Sequence, residues 1–251
     1  MKIALLLSGH YRTFERNYES LKKYLLNLYD IDIFIYTWDD YGFWTPDENE
    51  SGGVYKTINI SPDFIRNVVK PKKYKIEKME DHLQTIKDLS KKVINKRYHF
   101  VRPINITGLW YTLHQCDLLR REYEKENNLE YDIIIRGRFD ILYSKPINID
   151  RTFTICTDVW GPLRDEGYGD VFFYGSNEDM TIITNMILHF DEVGQIPFDS
   201  HSAFRYWVNK HIMNITSREF SITVYNTPGG TCKGDSLSFF PNLDSISSEE
   251  S

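Results

Sequence analysis

The segment richest in chemistry runs from Ile133 to Ile147, IIIRGRFDILYSKPI. Side chains alternate along an extended chain, so Arg136, Arg138 and Asp140 share one side if the strand continues through them. Two guanidinium groups and a carboxylate at the end of an apolar strand are costly to bury without partners. A pyrophosphate suits the two arginines, and a divalent cation bridging to it suits Asp140. The alternative is a structural Arg–Asp pair that locks the strand to a neighbouring loop. A second candidate lies at Ser8-Gly9, where the first apolar run ends, with Arg12 close behind it. Glycine lets backbone approach a ligand closely, and a helix that follows offers its N–H groups to an anion. A plain strand-to-helix turn explains the same residues.

The elements that must carry these residues follow from periodicity. Residues 2–8, KIALLLS, are nearly continuously apolar, as a central parallel strand is. Phe14, Tyr18, Leu21, Tyr24, Leu25 and Leu28 recur at helical spacing, which predicts a helix over 14–29. Asp32 to Tyr36 predicts the second strand of a βαβ unit with a right-handed crossover. Residues 41–60 hold Pro46, Asp47, Asn49, Gly52 and Gly53 and read as a surface loop. Helical segments are expected near 61–69 and 78–95, with the basic strip Lys70 to Lys75 between them as a solvated strand or loop face. Thr107 is the expected N-cap of a helix to about Asn127, with Leu109, Leu113, Cys116, Leu119 and Tyr123 facing inward. Strands at 131–135, 153–156, 170–174 and 221–225 and helices near 177–190 and 200–212 complete an α/β chain with a mixed second half. A turn is expected at Thr227-Pro228-Gly229-Gly230.

Composition excludes several function classes. The 251 residues suit one α/β domain, and 41% hydrophobic content is enough for a full core. A formal charge of −6 argues against a nucleic-acid partner. The three cysteines, Cys116, Cys156 and Cys232, are far apart and form no CxxC, so neither a disulfide framework nor a zinc cluster is indicated. The opening apolar run is too short for a signal-peptide core or a membrane span, and the expected compartment is the cytoplasm. No GxGxxG, P-loop, HExxH, kinase set or GxSxG elbow is present.

Read together, these segments resemble GT-A-type glycosyltransferases, in which an Asp-x-Asp motif follows a hydrophobic strand. Asp140 takes the second aspartate of that motif, Ile141 to Ile147 takes the strand after it, and Arg138 replaces the first aspartate. The run Arg136-Gly137-Arg138-Phe139-Asp140 is similar to that of a divergent group of capsule, lipopolysaccharide and large-virus glycosyltransferases. Ser8-Gly9-His10-Tyr11-Arg12-Thr13-Phe14 and Asp32-Ile33-Phe34-Ile35-Tyr36-Thr37-Trp38 match two further segments of that group. The resemblance covers roughly 1–40 and 105–180. It implies a GT-A-like single Rossmann-type fold, with a nucleotide-sugar-binding half at about 1–145 and an acceptor-binding half at about 146–241; the Ser- and Glu-rich residues 242–251 are expected to be a flexible tail. It also implies a nucleoside-diphosphate sugar donor, a glycan acceptor, and Mn²⁺ or Mg²⁺ at Asp140, with Arg138 able to stand in for the metal's charge. Thr37 and Asp39 would contact the nucleoside. The cytoplasm would be the host's if the chain is viral.

Transfer to a sugar hydroxyl with inversion needs a base, usually a carboxylate. Asp170, at the start of a strand behind Gly-Tyr-Gly, ranks first; Asp199 ranks second and doubles as an N-cap. Trp160-Gly161-Pro162 and Tyr168 are candidates for a sugar-stacking platform. Two rival readings stand beside a transferase: a non-catalytic nucleotide- or carbohydrate-binding module of GT-A ancestry, and a sugar nucleotidyltransferase.

Overall fold

Strand β1 (Ile3–Gly9) and strand β2 (Ile31–Trp38) are buried along most of their length, which is why their sequences are apolar on both faces. In this computed structural model, residues 1–40, 43–47, 50–56, 59–95, 103–150, 155–157, 168–217 and 220–224 are described. Helix α1 (Phe14–Tyr24) joins β1 to β2, and the two strands pair in parallel with Ile3 opposite Ile31 and Gly9 opposite Thr37. The chain then forms a separate antiparallel pair, β3 (Phe43–Asp47) and β4 (Glu50–Lys56). This corrects the surface loop expected over 41–60. The β-formers Phe43, Trp44 and Thr45 lie opposite Lys56, Tyr55 and Val54, and Pro46 falls where the register shifts, between Thr45 and Asp47, while Gly52 and Gly53 lie within β4.

Edge strand β5 (Lys73–Glu77) extends the sheet beyond β2. Lysines in and just before it are engaged: Lys72 pairs with Asp32, Lys73 with Glu122 and Glu126, and Lys75 with Glu77. Helix α2 (Met79–Ser90) leads toward α3, which spans Pro103–Asn127. The N-cap expected at Thr107 is thus one turn too late. Proline fits a first helical position, having no N–H to satisfy, and the Thr107 hydroxyl donates back to the Pro103 carbonyl at 2.8 Å. Strand β6 (Ile133–Gly137) inserts beside β1 in parallel, and β7 (Ile141–Tyr143) turns away to pair with β11 (Ile222–Val224) in a small antiparallel sheet.

Three strands of the second half complete the central sheet: β8 (Ile155–Thr157), β9 (Phe173–Ser176) and β10 (Ile215–Ser217). The order is β10-β8-β9-β6-β1-β2-β5. Only β9 is antiparallel to its neighbours; the other pairings are parallel. This is a Rossmann-like α/β fold with a mostly parallel sheet and a mixed second half, as the sequence predicts. The helix expected over 177–190 is broken into α4 (Asn177–Thr184), a 3-10 stretch at Asn185–His189 and α5 (Phe190–Val193). Helix α6 (Ser200–His211) closes that layer. Strand alternation sorts the core into two clusters. Ala4, Leu6, Phe34, Tyr36 and Ile134 pack with residues of α3, α4 and α6, whereas Leu5, Leu7, Ile33, Ile35 and Ile135 pack with those of α1.

A buried polar network fixes α3 on the sheet. Asp117 and Arg120 are fully buried and bond at 2.6 Å; Asp117 also accepts from Arg121 and from the Thr184 hydroxyl of α4. Such a network contributes register more than net stability, because desolvation offsets most of the attraction. Among the described residues no helix is long and apolar enough to cross a membrane. Trp160-Gly161-Pro162, the turn at Thr227 to Gly230 and the tail at 242–251 lie outside the described residues.

Candidate functional site

Parallel strands β1, β2 and β6 end at the same edge of the sheet, and the first turns of α3 lie over that edge. Between them is a cavity of about 440 Å³. Its lining includes Ser8, Gly9 and Arg12 after β1, Trp38 and Asp40 at the end of β2, and Arg136, Arg138 and Asp140 at the end of β6. Ligands of open α/β sheets bind at such strand ends. Helix α3 contributes Ile104, Asn105, Gly108 and Leu109, and α2 contributes Met79 and Glu80.

The floor is cationic. Arg138 grips Asp140 at two points, Nε to Oδ1 at 2.9 Å and Nη2 to Oδ2 at 2.6 Å. Arg12 donates to the same Oδ2 at 2.5 Å from across the sheet edge. Asp140 is 1% exposed. Burial alone would raise its pKa, but Arg138 and then Arg12 outweigh that and hold it below the ordinary carboxylate value. Arg136 is equally buried and donates from Nη1 to the Val171 carbonyl at 2.6 Å. Its Nε has no partner, and neither has the buried hydroxyl of Ser8. Burial and the neighbouring charge of Arg138 pull the Arg136 pKa down to about 9. The site therefore holds buried hydrogen-bond donors that its own groups leave unsatisfied, although its three arginines are matched in number by Asp40, Glu80 and Asp140.

Local backbone explains how these groups are aimed. Gly9 sits at φ +109, a conformation L side chains rarely adopt, and Arg12 at φ 47 is left-handed as well. The loop after β1 thereby swings the Arg12 side chain back toward β6. Gly137 separates the two arginines because a Cβ there would come within 3.2 Å of Leu7 and 3.4 Å of Leu5. The extended chain ends after Gly137 and turns at Phe139 and Asp140, yet all three charged groups still reach one cavity.

The rim is different in kind. His10 Nδ1 and Asp40 Oδ1 lie 3.2 Å apart, and Glu80 lines the same mouth. Trp38 forms an apolar wall with Met79, Ile104 and Leu109, its outer face stacked on Tyr111 at a 4° interplanar angle.

Several expected residues go elsewhere. Thr37 is fully buried, with its hydroxyl on the Trp38 carbonyl, and Asp39 exchanges backbone bonds with Glu77 and Ile60. Neither lines the cavity, because alternation along β2 gives that place to Trp38, and Asp40 follows at the strand's exit. Asp170 does not start a strand as expected, since β9 begins three residues later; it is 5% exposed and lies behind Ser200 of the cavity wall. It accepts from the Ser200 hydroxyl, with His201 Nδ1 3.8 Å from its other oxygen. Burial would raise its pKa; His201, Ser200 and the two arginines outweigh that and lower it. Asp199 caps α6, accepting from the backbone N–H of His201 and Ser202. Tyr168 donates to Asn209 and packs edge-on against Phe204, away from the cavity.

A divalent cation at Asp140 does not fit this donor set. Both carboxylate oxygens already receive guanidinium N–H groups, and a cation would have to displace two half-buried arginines. Among the described residues no group of three or more His, Cys, Asp or Glu side chains is placed to hold a metal ion.

Trp38, Asp40, His10 and the first turns of α3 escaped the sequence reading. The signal for α3 was Gly108, a glycine inside a helical pattern that marks open space or close approach. No protein-family model matches the chain, and a search of curated proteins finds no match.

Proposed function

We propose that the chain is a glycosyltransferase that takes its sugar from a nucleoside-diphosphate donor and passes it to a glycan hydroxyl. One observation carries this reading: unsatisfied guanidinium and hydroxyl donors, Arg136 Nε and Ser8 Oγ, are buried beside the Arg12–Asp140–Arg138 cluster at the strand ends. Such donors, beside three arginines that share the one buried carboxylate of the lining, suit an anionic ligand with several acceptor oxygens, as a diphosphate has. The apolar wall with Trp38 suits a planar base or a sugar face. The rim carboxylates Asp40 and Glu80 suit hydroxyl groups.

In the reaction, the acceptor oxygen forms a bond to the anomeric carbon as the bond from that carbon to the diphosphate breaks. The diphosphate leaves with the electron pair, and the hydroxyl proton passes to a base or to the departing phosphate. Arginines fixed before the reaction stabilise charge developing on the leaving group without reorganising. A cytoplasmic setting accords with such a soluble donor.

A second reading has its own support. Asp170 is covered by Ser200 of the cavity lining and Asp199 is spent capping α6, so neither carboxylate itself lines the cavity, which favours a non-catalytic module that only binds the donor. A thermal-shift panel of UDP-, GDP-, CMP- and dTDP-sugars tests the donor site, since a ligand of the folded state raises the melting temperature. One nucleotide class is expected to stand out. Hydrolysis of that donor separates the transferase from the module: no release of free sugar, with binding intact, leaves the module.

A further inference from the structure

We propose that this site binds its diphosphate through guanidinium groups in place of a divalent cation, with Asp140 serving as the clamp that holds Arg12 and Arg138 in position. The inference rests on the donor reading above, and it changes the role of the residue that aligns with a metal ligand. Three N–H groups converge on the two oxygens of Asp140, from Arg138 Nε, Arg138 Nη2 and Arg12 Nη1. A carboxylate so occupied has little left to offer a hard cation, which needs several oxygen ligands around it. Nor do neighbours supply them. The other cavity carboxylates, Asp40 and Glu80, belong to the rim, on the β2 and α2 side.

The clamp leaves the arginines usable. Arg138 commits Nε and Nη2 to Asp140, so its Nη1 remains for a ligand. Arg136 commits Nη1 to Val171, so its buried Nε remains, as does the buried hydroxyl of Ser8 in the same lining. These donors belong to separate strands, β1 and β6, that are paired in register with Leu6 opposite Arg136. A bridging metal does two things for a diphosphate: it neutralises charge and fixes the phosphates in place. Fixed guanidiniums do both, and planar groups on rigid strand ends lose little freedom in the contact. Asp140 is then a positioning residue that sets the arginines at their spacing.

The test uses tag-free protein and inorganic pyrophosphate, UDP, GDP and dTDP as probes, each titrated calorimetrically in EDTA, in Mg²⁺ and in Mn²⁺. Binding of pyrophosphate and of one nucleotide with affinities in EDTA within about threefold of those in Mn²⁺ is the expected result. Binding seen only with metal overturns the proposal and leaves the donor reading standing. Pyrophosphate binding in EDTA with no nucleotide binding supports the arginine site and sinks the donor reading. No binding of any probe under any condition overturns both. A second arm follows free Mn²⁺ by electron paramagnetic resonance as protein is added. An undiminished signal is expected, and a loss of signal that Asp140→Asn restores would return Asp140 to the metal.

Discussion

Arg138 and Asp140 stand two residues apart and face each other through a two-point contact, formed because the chain leaves its strand at Gly137 and turns. Had the strand continued, the two side chains would lie parallel and point at a ligand independently. The turn converts a potential metal ligand into the counter-charge of an arginine.

Asp140→Asn should therefore destabilise the protein as well as impair its site. Removing one partner from a buried ion pair costs roughly 3–5 kcal/mol, because the remaining charges stay uncompensated. Urea denaturation measures it. The double variant Asp140→Asn with Arg138→Gln should be less destabilised than the two single losses added together, and strict additivity would show that the pair is not coupled.

Arg136→Gln should have the opposite profile. The cation it removes is buried beside Arg138 with one nitrogen unpartnered, so the change in stability should stay within about 1 kcal/mol. Affinity for nucleoside diphosphates should fall about 10- to 100-fold, as loss of a charged hydrogen bond predicts. Unchanged affinity in calorimetry would remove Arg136 from the binding site.

Gly108 offers a test by volume. A Cβ at this position of α3 meets nothing within 4 Å, so Gly108→Ala should stabilise the helix by about 0.5–1 kcal/mol. Gly108→Leu should keep the fold and fill the cavity, lowering ligand affinity while the melting temperature holds. Full affinity in the leucine variant would show that ligands bind elsewhere.

His201 makes stability depend on pH. Asp170, first among the causes, raises its pKa above the ordinary 6.5 despite burial. A histidine whose folded pKa is raised contributes stability that is fully present below pH 6.5 and lost as pH rises through the folded value. The melting temperature of the wild type should fall over that window relative to His201→Gln. Asp170→Asn should abolish the difference, and parallel curves for wild type and His201→Gln would refute the pairing.

The central strands β1, β2 and β6 and the Arg136–Asp140 cluster were legible in the sequence because each depends on local pattern. Apolar runs such as Ile3 to Leu7 can only be buried strands or helices, and their length decides between them. Residues that reach the cavity from other elements were less legible. Trp38 and Asp40 were displaced by one position from Thr37 and Asp39, since the phase of a strand buried on both faces leaves no polar stripe to read. Asp170 looked like a free carboxylate because Ser200 and His201, thirty residues on, are its partners only in space. The hairpin of β3 and β4 was hidden by turn formers that its strands absorb.

The clamp between Arg12 and Asp140 joins positions 128 residues apart along the chain. Contacts of such long range form late in folding, after the loop between them has been closed against its entropy. The anion site thus comes into being only when β6 has docked beside β1, and a nascent chain that has emerged only as far as α3 has no such site. A bound diphosphate should act chiefly as a brake on unfolding, prolonging the native lifetime while leaving the early collapse of the chain untouched.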